Sequence, residues 1–191
     1  MFSGIIEQTS SIVSRNGGIF TVENKFNEPL SIGQSIAHDG ACMTITGINS
    51  DSYVFFVMQE SLARTNFWNK KIGDTFNVER SIRADSRIDG HFVSGHIDTV
   101  GTIRKIQDQP DNSHLVRIEF DSRYSTFIIE KWSIAINGIS LTIVEAGNDY
   151  LTVSIIPHTW NVTNIGKIIV WSKVNIEFDM IGKYIQRLHS K

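Results

Sequence analysis

The chain has 191 residues, with 18 Lys and Arg against 20 Asp and Glu for a net charge of −2, and 41% of it is hydrophobic. That is the balance of an ordinary globular protein, and it offers no basic field for a polyanion, so nucleic acid is not an expected partner. A lone cysteine, Cys42, cannot close an intrachain disulfide, no stretch approaches the ~18 apolar residues of a membrane-spanning helix and no leader-like apolar segment opens the chain, so the expected compartment is the cytoplasm.

Along the chain, period-two alternation dominates. Residues 76–79, 116–120, 151–155 and 174–178 each alternate apolar with polar side chains and read as strands with one wet face. Between them lie Asn16-Gly17-Gly18, Asp39-Gly40, Asn49-Ser50-Asp51, Asn137-Gly138 and Gly147-Asn148-Asp149, turn sequences that favour positive φ and antiparallel connections. Helical periodicity is confined to short pieces over 60–64 and 124–131, and to the carboxyl end, where Ile181, Tyr184, Ile185 and Leu188 form one apolar stripe. That stripe needs a partner, either a barrel end of its own subunit or copies of itself.

The segment Ser35-Ile36-Ala37-His38-Asp39-Gly40-Ala41-Cys42-Met43-Thr44-Ile45 matches Ser133-Ile134-Ala135-Ile136-Asn137-Gly138-Ile139-Ser140-Leu141-Thr142-Ile143 at an offset of 98 (133 minus 35). The same offset relates Thr65-Asn66 to Thr163-Asn164 and Asn77-Val78-Glu79 to Asn175-Ile176-Glu177, while Ser3-Gly4 pairs with Ser94-Gly95 at 91. The chain is therefore read as a tandem duplication, with units over 1–90 and 91–180 and a helix over 181–191. About six short strands per unit suffice for a small closed barrel, which leaves no exposed edges. Side chains fill a barrel of that size, so a ligand is expected between barrels or at a rim.

The opening Met1-Phe2-Ser3-Gly4-Ile5-Ile6-Glu7, the two repeated blocks, Glu60-Ser61-Leu62-Ala63-Arg64-Thr65-Asn66, Gly90-His91-Phe92-Val93-Ser94-Gly95-His96-Ile97-Asp98 and Ile155-Ile156-Pro157-His158-Thr159 together resemble the alpha-type riboflavin synthase family, over essentially the whole chain. The resemblance implies an all-β fold of two similar six-stranded antiparallel Greek-key barrels with a short carboxyl-terminal α-helix. It also implies a homotrimer with active sites between the amino-terminal barrel of one subunit and the carboxyl-terminal barrel of its neighbour. The implied reaction is a four-carbon transfer between two molecules of 6,7-dimethyl-8-ribityllumazine, giving riboflavin and 5-amino-6-ribitylaminouracil without metal or added cofactor.

The duplication itself points to chemistry where it is broken. His96 stands where the first repeat has Ile5, a titratable ring gained at one site only; a rim histidine bonded to a carbonyl is the plainer alternative. Cys42 stands opposite Ser140, each two residues before a threonine, Thr44 or Thr142; a lone cysteine is otherwise a small buried apolar residue. Ser35, the equivalent of Ser133, is either near the reacting rings, as the resemblance implies, or a turn-entry serine. Asp179 matches a family carboxylate and also suits a helix N-cap. The resemblance thus implies catalytic roles for Ser35, Cys42, His96, Ser140 and Asp179. For substrate binding it implies Gly4, Ile5, Ile6, Met43, Thr44, Phe56, Val57, Met58, Gln59, Glu60, Ser61, Gly95, Ile97, Lys131, Leu141, Thr142, Ile155, Ile156, Pro157, His158, Thr159 and Trp160, together with Cys42, His96 and Ser140.

Departures from the family pattern are Asp39 for Asn, Asp89 for Gly, Trp132 for Gly and Trp171-Ser172 for Gly-Asp. Trp132 adjoins Lys131 and is expected to reshape that rim. Two other classes compete with the enzyme. Non-catalytic antenna relatives hold a lumazine or flavin on the same duplicated barrel but tend to lose the His and Cys that His96 and Cys42 keep here. A flavin-binding oxidoreductase would want a nicotinamide-binding fingerprint, and no Gly-x-Gly-x-x-Gly occurs.

Overall fold

A computed structural model describes residues 1–189. The first half forms β1 (Gln8–Asn16), β2 (Ile19–Glu23), β3 (Ser35–His38), β4 (Ala41–Ile48), β5 (Ser52–Phe56) and β6 (Thr75–Arg80). The second forms β7 (Thr99–Asp108), β8 (His114–Glu119), β9 (Ser133–Ile136), β10 (Ile139–Ala146), β11 (Tyr150–Ile155) and β12 (Lys173–Phe178). Each set closes into a six-stranded antiparallel barrel, in the cyclic order β1-β2-β5-β4-β3-β6 and β7-β8-β11-β10-β9-β12. The two orders are identical once the second barrel's strands are renumbered, so the duplication read from the sequence is a duplication of topology. Register shifts recur at equivalent places, Ile12/Ser14 and Ile103/Lys105, Ile45/Gly47 and Ile143/Glu145. Such bulges sharpen the bend and twist of a strand, which a barrel this narrow needs to close.

Short helices follow the fifth strand of each barrel, α1 (Gln59–Arg64) and α2 (Pro157–Val162), each leading into a 3₁₀ turn at Asn66–Asn69 or Asn164–Lys167. Thr65 and Thr163 make these corners. Each hydroxyl donates back to the helix, to the Ser61 carbonyl at 2.7 Å or that of Thr159 at 2.8 Å, and accepts from the N–H two residues ahead at 3.3 Å. The helical piece expected over 124–131 is instead a 3₁₀ run, Ser122–Phe127, capped by Asp121. Its apolar spacing serves to plug the barrel end: Tyr124 and Phe127 lie against Phe178 at centroid distances of 5.4 and 5.3 Å. The last helix, α3 (Met180–His189), leaves Ile181, Tyr184, Ile185 and Leu188 exposed by 49% to 74%, so its stripe does not cover its own barrel. The final two positions of the expected 181–191 helix lie outside the described residues.

The strands over 76–79 and 174–178 differ from the one-wet-face expectation. Asn77, Glu79, Asn175 and Glu177 are as buried as their apolar neighbours, because the polar face of β6 and β12 is the joint between barrels. There the Asn66 N–H donates to Asn175 Oδ1 and the Asn164 N–H to Asn77 Oδ1, both at 2.7 Å, so each barrel caps the corner of the other. Asp39 lies in the same network. Its Oδ1 accepts from the Asn77 N–H and Asn164 Nδ2, and its Oδ2 faces Lys70 Nζ at 2.6 Å. Asn137, the equivalent residue, instead donates from Nδ2 to Asn164 Oδ1. With no such donor on Asp39, Asn66 Oδ1 has no partner among the described residues.

Candidate active site

Two Ser-Gly turns carry the barrels' mutual contacts towards the candidate site. In the second repeat, Glu177 accepts from the Ser94 N–H at 2.6 Å, the Ser94 hydroxyl at 2.7 Å and the Gly95 N–H at 3.0 Å. The Gly95 carbonyl then accepts from the Cys42 N–H of the first barrel at 2.8 Å. Glu79 repeats the arrangement on Ser3 and Gly4 with the same three distances, and the Gly4 carbonyl accepts from the Ser140 N–H at 2.7 Å. Burial pushes both carboxyls above the ordinary glutamate range, against the donors that pull them down. Glycine is required at both turns: φ is +76° at Gly4 and +85° at Gly95, and a Cβ would come within 2.7 Å of Ser140 Cβ or 2.6 Å of Cys42 Cβ.

The second turn delivers His96 to a cleft of about 410 Å³ at the rim of the first barrel, lined by Cys42, Met58, Ser61, Arg64, His96 and Ile97 among others. Alternation along β4 explains why Cys42 faces it: Met43 and Ile45 point into the core, so Cys42 and Thr44 point outward. Cys42 is partly buried and packs on the small cluster of Phe2, Ala37, Val93 and Ala135 at the joint. Ser35 is paired with Thr44 across the β3–β4 ladder. Met58 is exposed at the mouth, Phe56 is exposed at the end of β5, and Glu60 pairs with Arg64 along α1 at 3.2 Å.

The equivalent place in the second barrel is built differently. The linker between barrels brings Gly90 and His91 over Ser140, with His91 Nδ1 2.8 Å from Ser140 Oγ and the His91 N–H donating to the Ser3 carbonyl at 3.1 Å. Burial lowers the His91 pKa, and the nearby Asp179 carboxylate only partly offsets it. The two sites therefore differ in their reactive atom, a free thiol at Cys42 and, at Ser140, a hydroxyl held against His91.

The other residues of the sequence-based set divide by what their side chains touch. Gly4 adjoins Ser140, Ile5 is exposed, Ile6 packs on the core of the second barrel, and Thr142 lies on the same outward face of β10 as Ser140. Met43, Val57, Leu141 and Ile155 fill barrel cores, leaving their main chain to the rims. Gln59, Glu60 and Ser61 are on α1, while Pro157, His158, Thr159 and Trp160 are on α2, just after exposed Ile156. Trp160 is partly buried against the second core and stacks on His114 at 3.8 Å. Lys131 precedes β9 with φ +65°, where the first repeat has Gly33. Trp132 is exposed beside it, and its carbonyl accepts from the Ile143 N–H. Asp179 Oδ1 accepts from the Ile181 N–H at 2.9 Å and so caps α3, while its charge also reaches His91.

Sequence reasoning passed over Glu79, Glu177, His91 and Arg64. The glutamates end the repeated Asn-x-Glu, where alternation alone assigns them to an outward-facing polar side. His91 lies at the seam between the repeats, outside the blocks whose comparison marks His96 and Cys42.

The lumazine binding domain model matches residues 3–81 and 94–179, the two repeats. Riboflavin synthase of Actinobacillus pleuropneumoniae is 41% identical over 98% of this chain and 89% of its own length. That of Bacillus subtilis is 37% identical over 100% and 91%, and that of Escherichia coli 37% over 94% and 87%. Among solved structures, LumP complexed with riboflavin superposes with a TM-score of 0.82 at 24% identity, over 93% of this chain and 99% of that one, a likeness of fold. Two matched domains and full-length similarity to the synthases make the chain a member of the riboflavin synthase family.

Proposed function

We infer that this protein is a riboflavin synthase, a transferase that converts two molecules of 6,7-dimethyl-8-ribityllumazine to riboflavin and 5-amino-6-(D-ribitylamino)uracil, the last step of riboflavin biosynthesis. The observation that carries the reading is Cys42 and His96 at one cleft, joined through the Gly95–Cys42 hydrogen bond. These are the two side chains that antenna relatives tend to lose. The products together hold all the atoms of two lumazines, so the exchange needs neither oxidant nor reductant. Loss of a proton from the 7-methyl group gives a carbanion delocalised into the pteridine ring, which adds to the second lumazine. Holding two rings in register can contribute about 7–11 kcal/mol, and proton transfer a further ~10²–10⁴-fold.

In this reading His96 exchanges the proton, Cys42 contacts the reacting ring, and Ser35 and Thr44 line the same rim. Ser140, with His91 against it, serves the second lumazine, and Asp179 acts beside it. The remaining positions of the sequence-based set hold the ribityl chains and ring edges. We assign a homotrimer in which the first barrel of one subunit faces the second barrel of its neighbour. The uncovered stripe on α3, with Tyr184 and Leu188 the most exposed, supports a self-association surface. No helix among the described residues is long and apolar enough to cross a membrane, and a free thiol at the site suits a reducing compartment, so we assign the protein to the cytoplasm.

The test is incubation of the purified protein, without additions, with the lumazine, followed by chromatography. Riboflavin and the pyrimidine in equal amounts, one of each per two lumazines consumed, are expected. Tight binding without conversion would make the protein a chromophore holder and overturn the reading.

A further inference from the structure

We infer that Glu177 is a positioning residue for the reaction, holding His96 and Cys42 in register across the joint through the Ser94-Gly95 turn. The inference rests on the synthase reading of the cleft. Two carboxylate oxygens meet three donors, which fixes the turn in both position and tilt. From that turn two links run to the cleft. The Ser94 hydroxyl donates to Glu177 and accepts from the His96 N–H at 3.3 Å, while the Gly95 carbonyl accepts from the Cys42 N–H at 2.8 Å. Each cleft residue therefore lies two hydrogen bonds from one carboxylate, and that carboxylate belongs to the barrel opposite the cleft.

The molecule supplies its own control. Glu79 makes the same three contacts, but its turn ends on Ile5, whose N–H donates to Ser3 Oγ at 3.3 Å, and on Ser140. Both glutamates are buried at the joint, so a merely structural role predicts the same consequence for both. A positioning role predicts that only Glu177 couples to His96. Glutamine in place of Glu177 keeps the shape but turns an amide N–H towards donors that the carboxylate accepts from.

The experiment is a double-mutant cycle on lumazine turnover, with riboflavin affinity read by fluorescence titration. Glu177→Gln is expected to lower kcat about ten-fold or more with riboflavin affinity within about two-fold, and to lower the rate of His96→Gln by a clearly smaller factor, the remainder being the link to Cys42. Glu79→Gln is expected to multiply with His96→Gln. If Glu177→Gln does not fold, Ser94→Ala, which removes only the hydroxyl link, carries the same cycle with a smaller loss. Glu177→Gln, or Ser94→Ala in its place, multiplying fully with His96→Gln overturns the inference. Independently of turnover, histidine-labelled NMR should show the His96 ring signals shifted or broadened by the Glu177 or Ser94 change and left in place by Glu79→Gln; signals unmoved by all of them also overturn it. A wild-type protein that makes no riboflavin sinks the synthase reading, and the NMR comparison still decides the link from Glu177 to His96.

Discussion

Behind one strand order, the first barrel is filled with rings and the second with branched aliphatics. Phe55, Phe67 and Phe76 stand where the second has Val153, Ile165 and Val174, all fully buried. The buried pair His38 and Tyr53, joined at 2.8 Å, stands where the second has Ile136 and Leu151. What stays constant is elsewhere: the paired bulges, the threonine corners, the asparagines of the joint and the two Glu-held turns. Closure and mutual docking thus depend on backbone devices and buried polar groups, while a core accepts many fillings provided that volume and polarity are satisfied. At the candidate sites the halves part company, Cys42 against Ser140 and His96 against Ile5.

Substitutions that copy one barrel onto the other test that comparison. The largest effect is expected at the cleft: Cys42→Ser, which gives the first barrel the second's residue, and His96→Gln should each lower kcat by ~10²-fold or more while lumazine affinity changes far less. Steady-state kinetics beside fluorescence titration would check this, and normal turnover by His96→Gln would remove its proton role.

Next comes the joint. Lys70→Met strands the buried Asp39 charge and should cost about 3–5 kcal/mol in denaturant unfolding. The double change Asp39→Asn with Lys70→Ile, which reproduces Asn137 and Ile168, should recover most of it, since an amide at 39 can donate to the unpartnered Asn66 Oδ1. A double variant as unstable as the single one would disprove the pairing.

Acid should separate the barrels. Burial lowers His38 from 6.5 to about 3, so between those values the unfolded chain binds a proton that the folded barrel refuses. Stability is therefore lost as pH falls from 6.5 towards 3, by up to about 1.4 kcal/mol per pH unit. Glu79 and Glu177, raised by burial, act in the opposite sense, with their contribution lost as pH rises through their folded values, but one sits in each barrel and the difference between barrels survives. Hydrogen exchange at pH 4 and 7 should show the first barrel opening preferentially in acid, and His38→Ile with Tyr53→Leu should abolish the difference.

The smallest effects are at two turns. Lys131 and Trp171 hold φ of +65° and +79°, where the first repeat has Gly33 and Gly73. Lys131→Gly should raise stability by about 1 kcal/mol. Trp171→Gly should gain less, because the ring also lies 4.2 Å from the Arg104 guanidinium. Thermal melts would rank them, and a fall in melting temperature for Lys131→Gly would contradict the strain.

Most of the fold was legible because period-two alternation and Gly turns are local signals, and the 98-residue offset made equivalent positions comparable. His96 and Cys42 stood out for the same reason, as breaks in a repeat. Glu79 and Glu177 did not, since symmetry hides whatever both halves keep, and alternation alone cannot tell a polar face turned to water from one turned to a second barrel. The 3₁₀ plug at Ser122–Phe127 is hidden for a related reason: Tyr124, Phe127 and Ile128 have helical spacing because they converge on one barrel end, not because a helix carries them.

The exchanged contacts of the joint, Asn66 to Asn175 and Asn164 to Asn77, are those that two copies of a single barrel would make about a dyad. In such an ancestral homodimer a cysteine gained at one pocket would have appeared at both. Two copies carried on one chain are free of that identity, so that one pocket holds a serine and the other a thiol and an imidazole. Two molecules of one compound could then be given different fates.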